Sequence, residues 1–246
     1  AMEEDLGEAI FERFPRGVRL SAAGELLIHH IRNQLSDIER VKSQIADLSG
    51  ERRGHVAIAC SQALVPFFLP EQISIYRSNH SAVTFDVLAL VFEPVRMAEF
   101  QTLLTIRQPV HVVMHPEHPL AEKETVRLRD CLQYPTALPT APYGVRHLME
   151  LAARRTTLDL QPMLESDSFE FLRHYVRQEK VLSFQLPIGL PSPDSDEGVI
   201  NRRVDERDIP AGNLYFGQLR NRALPVSAAR FAQQMQETFV ARFECE

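Results

Sequence analysis

Between Ser21 and Gly50 the larger apolar residues fall at Leu27, Ile31, Leu35, Ile38, Val41, Ile45 and Leu48, in alternating steps of three and four. That spacing lines one face of an α-helix. Ser21 can cap the first turn through its hydroxyl, and Gly50 sits where a helix commonly stops. At about 1.5 Å per residue the helix runs roughly 40 Å, longer than most helices of compact domains. Arg32, Asn33, Gln34, Asp37, Glu39 and Arg40 make the rest of its surface polar. So narrow a stripe on so long a helix fits pairing with another helix, the alternative being a helix laid on its own domain's core.

Around that helix the pattern changes period. Upstream, Glu3 to Phe11 reads as a helix end stopped near Gly7, and FERFPRGVRL as a strand, a turn at Pro15 and Gly17, and a strand. Downstream, Glu51 to Gly54 is a polar hinge and His55 to Cys60 has strand composition, ending at Ser61 and Gln62. Ala63 to about Arg77 predicts a helix interrupted around Pro70, and Val83 to Val87 a second strand. Strand, helix, strand implies a parallel pair with a right-handed crossover. VTFDVLALVF, from Val83 to Phe92, is nearly unbroken and longer than a typical strand. Leu88 to Phe92 is therefore expected to form a separate third strand, with Glu93 and Pro94 opening a crossover.

Strands are expected at Pro109–Met114, Tyr134–Leu138, Leu160–Leu164, Val181–Leu186 and Val199–Val204, and Asn213–Leu219 crosses back toward the first strands. Helices are expected at Gly144–Arg155, ended favourably by Arg154 and Arg155, and from a capping-box-like Asp167 and Glu170 to Glu179. Pro225 to Phe243 predicts an amphipathic terminal helix with Pro225 near its first turn. The class is α/β.

Composition narrows this picture. A length of 246 residues suits two compact units or one domain with an appendage, and 44% hydrophobic content supports a core. No apolar run approaches the roughly 20 residues needed to span a bilayer, so no membrane partner is expected. The opening AMEEDLGEAIFERF is acidic and lacks the apolar centre of a secretion signal. Cys60, Cys131 and Cys245 are widely spaced and form no CxxC pair, which fits reduced thiols in the cytoplasm. A net charge of −6 gives no global case for nucleic acid, so any DNA contact rests on a local patch. Arg13, Arg16 and Arg19 around the hairpin turn offer one, because guanidiniums can clamp phosphate oxygens bidentately. The alternative is a solvated hairpin with scattered arginines.

EEDLGEAIFERFPRGVRLSAAGELL resembles the end of the winged helix-turn-helix domain of LysR-type transcriptional regulators, where the wing runs into a linker helix. The family pattern LG..LF.R..RG..LT.AG is met at Leu6-Gly7, Ile10-Phe11, Arg13, Arg16-Gly17, Leu20-Ser21 and Ala23-Gly24, with Ile10 and Ser21 as mild variants. The phrases HVAIACSQALVPFFLP, HVVMHPEHPLA, SDSFEFLRHYV and LPVSAARFAQQM resemble the effector-binding domain of the same regulators, which has a two-subdomain, periplasmic-binding-protein-like α/β fold. The resemblance implies four parts. Residues 1–20 are the incomplete end of a winged helix-turn-helix, and 21–50 a linker and dimerisation helix. Residues 55–94 with 213–246 form subdomain I, and 95–212 subdomain II. It also implies most of a recognition helix ahead of Ala1, and a loop plus helix between Val87 and Leu88, so the sequence is expected to be an incomplete copy.

Several clusters of residues carry potential chemistry. His111, His115 and His118 with Glu117 make the one metal-like cluster, but residues 111 and 115 of a strand stand about 13 Å apart, too far for one ion. Cys60 reads as a core thiol, and Cys131 could be a redox sensor as in some members of the family, though nothing marks a resolving partner. There is no GxSxG, GxxxxGK[ST] or GxGxxG, so neither an enzyme nor a cofactor is expected. Architecture argues better for a binding site, since open α/β sheets take ligands at the carboxyl ends of strands near helix N-termini. Ser61 and Gln62 hold that place after the first strand, and in the resembled family the matching position touches the effector. Facing groups would be Thr140, Tyr143, Phe184 and Gln185. The expected partners are DNA, a small-molecule effector such as an organic anion, and a second copy of the chain through Leu27 to Leu48, in a family that often assembles as tetramers. The rival is a solute-binding protein of a transport system, which shares the bilobal fold but not the wing or the long helix.

Overall fold

In the computed structural model, which describes residues 2–15, 17–48, 54–90, 100–156, 158–191, 197–220, 223–243 and 245, local chemistry sets the N-terminal part. Helix α1 (Met2–Leu6) stops at Gly7, whose φ of 70° is a left-handed conformation that glycine adopts without a Cβ penalty. Strands β1 (Phe11–Phe14) and β2 (Gly17–Leu20) pair antiparallel from Phe11↔Leu20 to Phe14↔Gly17. Ser21 then caps α2 (Ala22–Leu48), its Oγ accepting the Gly24 N–H at 3.0 Å while its own N–H donates to the Ile10 carbonyl at 2.9 Å. Along α2 the stripe stands open, from 38% exposure at Ile31 to 60% at Ile45. Leu27 is half-buried, the side chain of Leu48 lies outside the described residues, and so does Gly50.

Next come β3 (Gly54–Ser61), a 3-10 turn at Gln62–Leu64, α3 (Phe68–Asn79), β4 (Val83–Leu90) and β5 (Phe100–Gln108). The second half comprises β6 (His111–Met114), β7 (Thr125–Val126), α4 (Leu128–Cys131), β8 (Ala137–Pro139), α5 (Gly144–Thr156), β9 (Leu164–Ser166) and α6 (Phe169–Gln178). It continues through β10 (Ser183–Gln185), β11 (Ile200–Val204), β12 (Gly212–Leu219) and α7 (Val226–Arg242). β3 and β4 are parallel, β5 and β12 antiparallel, β8 and β9 parallel, and a four-stranded sheet runs β10-β6-β11-β7.

Two apolar cores result. One gathers Val56, Leu69, Ile106, Phe231 and Phe239, with Phe68 stacked on Phe239 at 5.0 Å between ring centres. The other gathers Val112, Met114, Leu138, Met149, Leu172 and Phe184. The chain passes between them from Ile106 to Val110, and buried Gln108 ties the passage to the second half by accepting the Ile188 N–H at 3.1 Å.

Four expectations need correction. Leu88–Leu90 continues β4 rather than opening a third strand, because β3 offers eight consecutive partners, from Gly54↔Val83 to Ser61↔Leu90. Phe92, Glu93 and Pro94 lie outside the described residues, as do 51–53 of the polar hinge. β5 went unforeseen. The strand at Leu160–Leu164 falls later, at Leu164–Ser166, set by its parallel partner β8. Helix α6 is capped by Ser168, whose Oγ accepts the Phe171 N–H at 3.1 Å, and not by Asp167.

Candidate functional site

The carboxyl end of β3 meets the turn after β8 at the boundary between the cores, the crevice where a ligand is expected. Ser61 Oγ accepts the Ala63 N–H at 3.4 Å and so turns the chain into the 3-10 segment, leaving Ser61 and Gln62 half-buried. The opposite wall is the turn after β8, closed by Tyr143 N–H donating to the Thr140 carbonyl at 3.2 Å. The Thr140 N–H donates to the Ser166 carbonyl at 3.1 Å, which fastens this turn to the end of β9. Tyr143 reaches across: its hydroxyl lies 2.9 Å from Gln62 Oε1 and 2.8 Å from the Asp167 carbonyl oxygen. With one proton, it donates to one of these acceptors at a time. Burial, and then the nearby Asp167 charge, pushes the phenol above its ordinary range, so it stays a neutral donor. Phe169 meets the ring edge-on at 5.1 Å.

Structure separates the remaining expected residues. Phe184 is fully buried in the second core opposite Val112, so it supports the site from beneath and presents nothing to a ligand. Gln185 is also buried: its Oε1 accepts from Arg173 Nη1 at 3.0 Å and its Nε2 donates to the Phe169 carbonyl at 3.2 Å. Its amide is thereby committed to holding α6. The crevice thus brings together Ser61, Gln62, Thr140 and Tyr143. Asp167 and Arg173 were missed; the available signal for Arg173 was its place among Phe169, Leu172 and Val176 on the buried face of α6.

On the hairpin, the register sets Arg13 opposite Val18 and Arg19 opposite Glu12. Cross-strand partners share a face and successive residues alternate, so Arg13 and Arg19 project from opposite faces. Arg19 lies over the Phe14 ring at 5.7 Å, and Arg16 lies outside the described residues. Arg13 and Arg19 therefore do not reach one phosphate from the same face of the hairpin.

Among the described residues no three His, Cys, Asp or Glu side chains gather as a metal-ligand set. His111 is 2.8 Å from Asn201 Oδ1, and His115 and His118 accept nearby backbone N–H groups through Nδ1. Burial pushes the Cys131 thiol up to about 12 and raises Cys60 as well, so both stay protonated and unreactive. Among the described residues no helix is long and apolar enough to cross a membrane.

Residues 88–240 match the LysR substrate binding domain family, so the matched span opens partway along β4. A probable nitrogen assimilation transcriptional activator of Synechococcus elongatus is 23% identical over 226 residues, covering 83% of this chain and 73% of that protein. Full-length OxyR from Pseudomonas aeruginosa superposes with a TM-score of 0.66 at 16% identity, over 96% of this chain and 82% of its own. The effector binding domain of QuiR, solved with shikimate, gives a TM-score of 0.62 at 14% identity over 78% of this chain and 100% of its own.

Proposed function

The chain belongs to the LysR family of transcriptional regulators, and we propose that it is controlled by a small effector held between Ser61–Gln62 and Thr140–Tyr143. The observation that carries this is the Tyr143–Gln62 contact, which joins the end of β3 to the turn after β8 at the place where open α/β sheets take ligands. An effector with acceptor groups, such as an organic anion, competes for the Tyr143 hydroxyl and for the Ala63 N–H that Ser61 Oγ accepts at 3.4 Å. It thereby exchanges one closed arrangement of the crevice for another, and the difference in affinity between the two shifts their populations.

In this reading residues 55–94 with 213–246 and residues 95–212 are the two subdomains, 1–20 touches DNA through the hairpin arginines, and α2 pairs with its copy. The exposed stripe on α2 supports that pairing, and a dimer, or a tetramer built from it, presents two hairpins to a pseudo-palindromic site in the cytoplasm. QuiR's shikimate shows that the fold can enclose a small carboxylate in another protein. Regulation rather than transport fits both the family match and the named relatives. Footprinting the full-length protein on its own upstream DNA, with and without added carboxylate metabolites, tests the proposal. Protection that changes with a metabolite supports it; a footprint indifferent to every metabolite, or no footprint, overturns it.

A further inference from the structure

A cavity of about 350 Å³ lies where Pro66 and Phe67, just before α3, face the exposed turns of α6. Its charged lining is unusual in being mixed and unpaired. Glu170, Arg173, His174 and Arg177 project from one face of α6 at steps of three, one and three, and Glu197 closes the far side. Among the described residues, no guanidinium here approaches a carboxylate within ion-pair distance. Glu170 and Glu197 line the same cavity as Arg173 and Arg177, so both signs of charge face it.

Arg173 is the anchor of this arrangement. It is only 4% exposed, its guanidinium lies 4.8 Å over the Phe67 ring, and Nη1 donates to Gln185 Oε1 at 3.0 Å and to the Gly189 carbonyl at 3.3 Å. Among the described residues Nε and Nη2 have no acceptor. Those two nitrogens open onto the cavity, where a ligand carboxylate would take charge-assisted hydrogen bonds from them. Arg177 is steered toward the same space: its Nη1 donates to the Glu197 carbonyl at 3.4 Å, and Gly198 passes so close that a Cβ there would meet Arg177 Cδ at 2.7 Å. The carboxylates of Glu170 and Glu197 supply the opposite sign a few residues away. A simple anion would gain the guanidiniums and face both carboxylates; a simple amine would meet the reverse.

We propose that this cavity binds a zwitterionic ligand of the amino-acid type, its carboxylate on Arg173 and Arg177, its ammonium on Glu170 and Glu197, and its apolar part against Phe67. The volume lies in the range of small-molecule sites, at its lower end. The walls come from the segment that leads into α3 and from α6, elements that pack in different cores, so occupancy bears on how the two sit against each other. The site is distinct from the Ser61–Tyr143 crevice, and its occupancy is read as binding alone.

Isothermal titration calorimetry of the protein with each of the standard amino acids is the test, followed, for the tightest binder, by its decarboxylated amine and its deaminated acid. We expect saturable binding of at least one amino acid, with amine and acid each at least ~10-fold weaker, about 1.4 kcal/mol. Arg177→Gln and Glu170→Gln, both at exposed positions, should each weaken binding ~10-fold, with circular dichroism reporting that the variants are folded. No saturable amino-acid binding overturns the proposal. So does an acid or amine that binds as tightly as the parent. A ligand whose affinity survives both substitutions but falls in Tyr143→Phe sits in the crevice, which overturns this site while upholding the other.

Discussion

The hydroxyl of Tyr143 lies 2.9 Å from Oε1 of Gln62, a contact between residues 81 positions apart that joins the two walls of the crevice. The same hydroxyl is 2.8 Å from the Asp167 carbonyl, so its removal takes away the one proton that these two acceptors share. Tyr143→Phe keeps the ring and its edge-on packing against Phe169. It should cost about 1 kcal/mol in urea unfolding, the usual net worth of a hydrogen bond. If the crevice is the effector site, effector affinity also changes while the melting cooperativity of the two cores does not. A variant identical to the parent in both stability and effector response would detach this contact from the site.

Ile38 and Ile45 test the pairing of α2. Both are more than half exposed on a helix whose polar residues cover the other faces, so neither is needed by the chain's own cores. Replacing both with glutamate sets like charges against one another in the paired helices and removes the apolar seam. Sedimentation velocity should show a dimer giving way to a monomer, while the unfolding free energy of the cores moves by no more than about 0.5 kcal/mol, as for other surface changes. An unchanged sedimentation coefficient would defeat the pairing.

Legibility followed locality. The stripe of α2, the Ser21 cap and the hairpin turn at Pro15 and Gly17 depend on neighbours a few residues away, and the structure has all three. β5 reads FQTLLTIRQ, with no clean alternation, and its partner β12 follows more than a hundred residues later, so its pairing is decided by tertiary context. β4 shows the same override, since the eight-residue edge of β3 carries the strand through Leu88. Strand-end logic singled out Gln62 and Tyr143 separately; their meeting depends on how the cores pack. Arg173 was overlooked because an arginine in an amphipathic helix ordinarily marks the wet face, whereas here it lies within the buried arc beside Leu172.

Acid stability should turn in part on Asp208. Its carboxylate accepts from Arg127 Nε at 2.7 Å, Arg127 Nη2 at 2.6 Å and the Leu128 N–H at 2.8 Å. The Arg127 guanidinium holds the carboxyl below its ordinary range, against an opposing push from burial. A carboxyl lowered on folding adds stability that is complete above its unfolded value, about 3.9, and is lost as pH falls through the folded value. Asp208→Asn should therefore be less stable than the parent at neutral pH, and the difference between the two should shrink below about pH 4. Denaturant titrations at several pH values measure it, and a gap that stays constant into acid would count against this pair.

Gly24 tests the joint between hairpin and long helix. A Cβ at this position would clash with the carbonyl oxygen of Ile10, the same oxygen that accepts the Ser21 N–H at 2.9 Å. Ile10 is itself buried, so the carbonyl cannot swing away without moving the β1 end of the hairpin. Gly24→Ala improves helix propensity by up to about 1 kcal/mol, yet the overpacking costs ~1–3 kcal/mol and should win. The penalty is local: hydrogen exchange should quicken in the segment from Ile10 to Glu25 and stay unchanged in β3, β6 and α7. If the hairpin positions DNA contacts through this joint, the same variant loses DNA affinity with no loss of core stability. Slower exchange across the segment would mean that the helix-forming gain outweighs the contact, and that the hairpin is not seated on α2 through Ile10.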